Sequence, residues 1–380
     1  MSHFFESLPG HRITGSDAPE KTVLKLGFMP LSDCAPLLVA WKLGLGRRHG
    51  IEIELRRQPS WAAVRDRLLS GELDAAQALY GLVYGIELGL GGPQADMAVL
   101  MTLNRNGQAI TVSNRLAAAL RAGHPLRALL ADGPRRPVFA QTFPTGTHAM
   151  WLYYWLAAQQ IHPLRDISSV VIPPPQMSGA LAGGLLDGFC AGEPWHAVAE
   201  AAGGGRTLVR SGEIWPDHPE KVLACRRDFV RRHPNAARAL TCALLDACRW
   251  LDADDTHRRE AAGWLSTAIG CNTGLILPRL LGSGAGSSPP LRFFAGGEVN
   301  FPYLSDGLWF LNQYQRWGML RTPVDMAAVA TAINQTSLYR EAAMVLDIDV
   351  PGSPYRRSRL CDGTVWDGSM PAADPFPLHA

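Results

Sequence analysis

Lysine is almost missing from this sequence. Lys21, Lys25, Lys42 and Lys221 are the only lysines among 36 basic side chains; the rest are arginine. Against that bias, a position that keeps lysine is a candidate for a site that needs a compact ammonium rather than a planar guanidinium. Charge is scarce as well. Acidic and basic residues make up 18% of the 380 residues, and the formal net charge is +2. That excludes a surface built to coat nucleic acid. No apolar run is long enough to span a membrane. The N-terminal stretch "MSHFFESLPGHRITGSDAPEKTV" has no basic segment leading into an apolar one and no lipobox cysteine, so a cytoplasmic location is expected. The seven cysteines, Cys34, Cys190, Cys225, Cys242, Cys248, Cys271 and Cys361, are odd in number. They form no CxxC pair and no Cys/His cluster with zinc spacing, which reads as free thiols and no metal site. No GxGxxG follows the first expected strand, and GxxxxGK[ST], GxSxG and HExxH are absent. No cofactor is expected.

What is present is an alternation of strands and helices in a chain that is 47% hydrophobic, enough for more than one domain. "VLKLGFM", "IEIEL", "LDAAQAL" and "MAVLMTL" read as strands, separated by segments with helical spacing. "QAITVSN" is extended. "RPVFAQTF", "DISSVVIPP" and "DGFCAGEP" are strands of a second βα block, and "VLACRRDF" leaves it as a further strand. From Pro234 to Leu281 the pattern is helical. "GSGAGSSPP" (282–290) is a loop, and "VDMAAVATAINQTSLYREAAMVL" one of two later helices. The expected architecture is α/β with two lobes and a cleft. Lobe 1 is assigned 22–113 plus 222–350, lobe 2 114–221, and a C-terminal tail 351–380.

In open α/β sheets, ligands bind beyond the carboxyl ends of the strands, near helix N-termini. The residues at those places are therefore the candidates. Ser32 and Asp33 suit helix capping. Trp61 follows the N-cap candidate Ser60 and could close over a cleft or pack at a lobe edge. Gln108 follows the Asn106-Gly107 turn and offers an amide. His148 lies on the first turn of an apolar, aromatic helix, where the unpaired N–H groups favour anions. It is a directed donor there, or a histidine bonded to local backbone. Gly192 gives close backbone access, and Glu193 suits the helix that follows it. Lys221 stands at the return crossing, facing the cleft or solvent.

The segments "LKLGFMPLSDCAPLLVAWKLGL", "QPSWAAVRDRLLSGELDAAQAL", "NGQAITV", "TFPTGTHAMWLYYWLAAQQIHP", "GFCAGEPW" and "HPEKVLACRRDFVRRHP" resemble the nitrate/bicarbonate substrate-binding proteins of ABC importers. They resemble most its cytoplasmic nitrate/nitrite sensor branch, the NasS type. The resemblance covers about Lys25 to Asp367. It implies the periplasmic-binding-protein type II fold and an anion site made of Trp61, Gln108, His148, Gly192 and Lys221. It also implies nitrate or nitrite without metal, since bicarbonate binders of the family carry an acidic residue where Lys221 stands. The sensor branch implies no catalysis, no direct nucleic-acid contact and a NasT-type antiterminator protein as partner, released when the anion closes the cleft. On this reading Lys221→Glu abolishes nitrate binding and leaves the fold intact. Three alternatives stay open: an importer's binding component, a sulfonate binder, or an enzyme like the thiamine pyrimidine-precursor synthases. The enzyme would use a cleft cysteine such as Cys190 or Cys34, or a cleft histidine.

Overall fold

The computed structural model describes residues 17–282 and 290–369. Its frame is two five-stranded sheets. The strands are β1 (Val23–Phe28), β2 (Glu52–Arg57), β3 (Ala75–Leu79), β4 (Met97–Thr102), β5 (Gln108–Ser113), β6 (Val138–Gln141), β7 (Ser168–Val171), β8 (Gly188–Gly192), β9 (Gly205–Arg210) and β10 (Lys221–Arg226). The first sheet has the order β2-β1-β3-β10-β4 and the second β7-β6-β8-β5-β9. β10 is antiparallel to β3 and β4, and β5 is antiparallel to β8 and β9. Each sheet thus takes its fourth strand from the chain just arriving from the other.

The two crossings lie side by side. Leu103 N–H donates to the Lys221 carbonyl (2.7 Å), Glu220 N–H to Asn104 (3.1 Å) and Asn106 N–H to His218 (3.2 Å). This short ladder is the hinge on which two lobes can turn. It also corrects the expected boundaries. The first crossing comes before Gln108, because Gln108–Ser113 pairs in the second sheet rather than belonging to a lobe 1 that ends at 113. Lys221, placed at the end of lobe 2, is the first residue of β10 in the first sheet. β5 is buried on both faces except at Ser113, so its hydrophobic pattern carries no information about which sheet it joins.

Other elements also depart from expectation. β9 (GRTLVR) was not anticipated; it is a half-exposed edge strand with little apolar alternation. "VLACRRDF" stops being a strand at Arg226. The expected single helix over "VDMAAVATAINQTSLYREAAMVL" is two, Met326–Ile333 and Thr336–Val345. They break at buried Asn334. Its side-chain amide donates to Tyr80 Oη (2.7 Å) and the Tyr303 carbonyl (2.9 Å), and its side-chain oxygen accepts from Tyr84 Oη (3.1 Å). The loop at 282–290 lies largely outside the described residues.

The helix Thr147–Ala158 is apolar on every side and is buried along all but its last residue. A helix without a polar face belongs inside a protein. Here it runs between the second sheet and the helix Leu304–Arg316. Trp151 stacks obliquely on Trp309 (ring centroids 4.5 Å) and meets Trp215 edge-on (5.6 Å) and the His218 ring (4.7 Å). The residues after 350 strap this cluster. Asp362 accepts from Tyr154 Oη (2.8 Å), Cys361 N–H donates to the Ile214 carbonyl (2.8 Å), and Trp366 Nε1 donates to Ser305 (2.8 Å). A cavity made here by truncating a side chain would lie behind the hinge. Trp151→Ala is expected to lower stability by about 3–5 kcal/mol, and Trp151→Phe by clearly less; denaturant unfolding of the two variants checks this.

Candidate functional site

The carboxyl ends of β1, β2, β6 and β8 point at one place. After β1, a 3-10 turn (Ser32–Cys34) carries Asp33. Asp33 was expected to cap a helix, as was Ser32. The residue before that turn is Leu31, and no side chain caps it. Instead Asp33 turns inward. Its Oδ2 accepts from Lys221 Nζ (2.8 Å), and its Oδ1 accepts from Gln77 Nε2 on β3. Gln77 is itself held by Met29 N–H (2.9 Å).

After β2, Ser60 caps the helix Trp61–Ser70 by accepting from Ala63 N–H (3.1 Å). That fixes Trp61 at its first position, with the Lys221 ammonium 5.5 Å from its ring centroid. After β6, Thr142 Oγ1 lies 2.7 Å from His148 Nδ1. Burial pushes His148 well below the usual imidazole range, with the Lys221 charge acting in the same direction. The ring is therefore neutral. A neutral ring carries one proton, and the tautomer in which the Thr142 hydroxyl donates to Nδ1 carries it on Nε2.

β5 and β8 place Gln108 directly opposite Gly192. A Cβ on Gly192 would lie 3.4 Å from Asp33 Oδ2 and 3.6 Å from His148 Nε2. Those are ordinary contact distances, so Gly192 faces both the Asp33 carboxylate and the His148 ring. All five residues expected to form the site thus come together, four of them at most 1% exposed and Gly192 buried too. Trp61 Nε1, Gln108 Nε2 and His148 Nε2 are buried without a hydrogen bond of normal geometry, although the Gln108 amide turns toward the Glu220 carboxylate. An unsatisfied buried polar group costs about 1–3 kcal/mol, so three around one point ask for an acceptor. Other buried indoles lack partners too, Trp151 and Trp309 among them. The convergence on Gly192 and Lys221 separates the three from those.

The sequence reading missed Glu220. It lies beside Lys221, whose Nζ donates to Glu220 Oε1. The cation is therefore buried between two carboxylates, Asp33 and Glu220. Burial works against the ammonium, but the Asp33 and Glu220 charges more than offset it and raise Lys221. Burial raises Asp33 despite Lys221, and pushes Glu220 up to about 7. The only sequence hint was the Glu-Lys adjacency at the crossing.

The lobes meet closely around this point. Ser32 N–H donates to the Glu193 carbonyl (2.9 Å). The Glu193 carboxylate, expected to serve only its own helix, accepts from Arg279 Nε (2.6 Å) on the helix Thr273–Leu281. On the other side, Gly81 and Gly85 of the helix Tyr80–Glu87 press against Thr145. A Cβ on either would fall 2.3 Å from its carbonyl oxygen or 2.2 Å from its Oγ1. Tyr314 Oη lies 2.5 and 2.8 Å from the Gly81 and Thr145 carbonyl oxygens. This is a closed cleft. A groove of about 340 Å³ at its rim, lined by Leu31 and Pro59 on one side and Pro174 and Trp195 on the other, marks the approach.

Cys34 and Cys190, the thiols considered for an enzyme, are buried, and burial raises both far from thiolate formation. No group of three or more metal-ligating side chains occurs among the described residues.

Two outcomes follow from this geometry. Lys221→Glu, expected from sequence to leave the fold intact, would instead gather three buried carboxyl groups. Even Lys221→Met leaves two facing each other, and removing one partner of such a buried cluster costs about 3–5 kcal/mol. Thermal unfolding should show the loss in full at pH 8 and reduced at pH 5, where the carboxyl groups take up protons. Gly85→Val should hold the lobes apart. Small-angle scattering should report a larger radius of gyration, with the melting transition of the rest of the fold retained.

A family model for NMT1-like proteins matches residues 17–266. The nitrate/nitrite binding protein NrtA of Synechocystis sp. is 34% identical over 385 residues, covering 95% of this chain and 86% of that protein. The nitrate import ATP-binding protein NrtC of the same organism is 36% identical over 395 residues, but this chain spans only 58% of its length. The crystal structure of periplasmic nitrate-binding NrtA from Synechocystis superposes with a TM-score of 0.87 at 34% identity, over 93% of this chain and 97% of that one. An alkanesulfonate-binding protein, SsuA from Xanthomonas axonopodis, shares the fold at 17% identity and a TM-score of 0.62, covering 83% of this chain and 99% of that one. Fold, length and sequence agree, and the chain belongs to the NMT1-like family, in the nitrate/bicarbonate substrate-binding group that includes NrtA.

Proposed function

We propose that this protein binds nitrate or nitrite in the cleft and serves as the substrate-recognition component of an ABC importer. The single observation that carries this reading is the set of three buried donors without a hydrogen bond of normal geometry, Trp61 Nε1, Gln108 Nε2 and His148 Nε2, grouped around a buried lysine and a glycine. Nitrate is planar, monovalent and a weak acceptor. A site for it must supply several directed donors and one cation out of water, because burying an unpaired anion is costly. Lys221 supplies the charge. Trp61, Gln108 and neutral His148 supply the donors, beside Gly192. The site needs no nucleophile, base or metal.

The importer reading is preferred over the sensor reading because one relative named above is a nitrate import ATP-binding protein and another a periplasmic nitrate-binding protein. A cytoplasmic sensor holding a NasT-type antiterminator would use the same closure for a different output. By linkage, such a partner would weaken nitrate binding as much as nitrate weakens its own binding.

Calorimetry with nitrate, nitrite, bicarbonate and sulfate tests the proposal. Nitrate or nitrite should bind, while bicarbonate and sulfate should not. His148→Ala and Gln108→Ala should each weaken nitrate binding by about ten- to a hundredfold, the worth of one hydrogen bond to a charged group. No nitrate binding at millimolar concentration would sink the proposal.

A further inference from the structure

The proposed anion site contains more negative than positive charge. Asp33, Glu220 and Lys221 are wholly buried and in mutual contact. With both carboxyl groups ionised the cluster carries one net negative charge. A monovalent anion among the same donors would make that two, in a space closed to water where like charges repel strongly. The geometry points to a proton entering with the anion, carried by Glu220. This inference rests on the anion-binding reading of the cleft.

The hydrogen bonds distinguish the two carboxyl groups. Both oxygens of Asp33 are engaged as acceptors, Oδ2 by Lys221 and Oδ1 by the Gln77 amide. Those donors favour its ionised form. Glu220 accepts from Lys221 through Oε1 only. Its Oε2 is buried without a hydrogen bond of normal geometry. The His218 ring nitrogen Nδ1 is 3.9 Å from it but lies 3.0 Å from the Pro219 carbonyl, where it donates. A proton on Oε2 leaves the Lys221 bond to Oε1 intact, and it turns an acceptor without a hydrogen bond of normal geometry into a donor.

Two carboxyl groups here are raised by burial, Asp33 and Glu220, and of these Glu220 has the oxygen without a hydrogen bond of normal geometry. Lys221 on β10 is raised and stays an ammonium. Cys190 on β8 is raised by burial and stays a thiol. His218 on the crossing is pushed down to about 3 by burial and stays neutral. Asp33 on the 3-10 turn faces Lys221 from the other side. His148 on its helix is neutral for the reasons given above. Gln108 on β5 carries no charge and turns its amide toward the same carboxyl. Glu220 itself, pushed up to about 7 by burial against the pull of Lys221, is half-protonated near neutrality even before an anion arrives. An added negative charge moves it further up. Proton uptake on binding is then small below pH 6 and approaches one proton by about pH 8. Affinity is level below about pH 7 and falls above it, by up to tenfold per pH unit.

The test is calorimetry of nitrate binding to the full chain from pH 6 to 9, in buffers of different ionisation enthalpy. The expected result is a buffer-dependent enthalpy equal to nearly one proton at pH 8, and a dissociation constant that rises with pH above about 7. Glu220→Gln should bind nitrate without proton uptake and with a level pH profile. Asp33→Asn should keep the uptake if it folds. Nitrate binding by the wild-type protein with no proton uptake at pH 8 would overturn the inference, whatever the variants do. Uptake that survives Glu220→Gln and disappears in Asp33→Asn would move the proton to Asp33 and overturn the assignment. Absence of nitrate binding at every pH would instead remove the anion reading on which it rests.

Discussion

The buried ammonium of Lys221 is the interaction on which the rest of the site depends. It is the first residue of β10, at the point where the chain re-enters the first sheet. From there it reaches Asp33 beyond β1, Glu220 on the crossing and the face of Trp61 beyond β2. A charge wholly out of water is tolerable only with partners, and those partners are drawn from three separate segments. The same cation that an anion would use therefore also holds the floor of the cleft together when no anion is there. Arginine would meet Asp33 and Glu220 through a planar fork and needs more room. An ammonium is a point charge that can turn from one carboxylate toward a ligand.

Closure and recognition share residues. Gly192 faces both Asp33 and His148, and the next residue, Glu193, joins both lobes through Ser32 and Arg279. On the opposite rim two glycines allow Thr145 to seat against the helix Tyr80–Glu87. These contacts exist only when the lobes are together, so a ligand that bridges the lobes shifts the balance toward the closed form through its differential contacts. The aromatic cluster around Trp151 supports this from behind. It fixes the helix whose first turn carries His148 and packs it against the hinge residue His218.

The departures from the sequence reading have a common origin. The strands and helix starts were legible because each carries a local signal, an apolar run or a cap, whereas Trp61, Gln108, His148, Gly192 and Lys221 were candidates by position that only the family resemblance joined into one set. Ser60 before Trp61 and Gly146 before Thr147 are such signals. The membership of β5 was not legible, because a strand buried on both faces looks the same in either sheet. Asp33 read as a cap because capping is a local habit of aspartate, while its actual bonds go to residues 44 and 188 positions away. Glu220 was missed for the same reason, since its partner contacts are not local habits of glutamate.

By itself, the sequence determined the alternation of strands and helices, the scarcity of lysine that set Lys221 apart, and the side chains able to donate to an anion. These follow from local periodicity and from the chemistry of single residues. Tertiary structure alone decided which strands share a sheet, that the cation is held by two carboxylates, and that Glu193 and Arg279 bridge the lobes. Those facts depend on pairs far apart in the chain, whose meeting is set by the crossings between sheets and by the energetic penalty against leaving a buried charge alone.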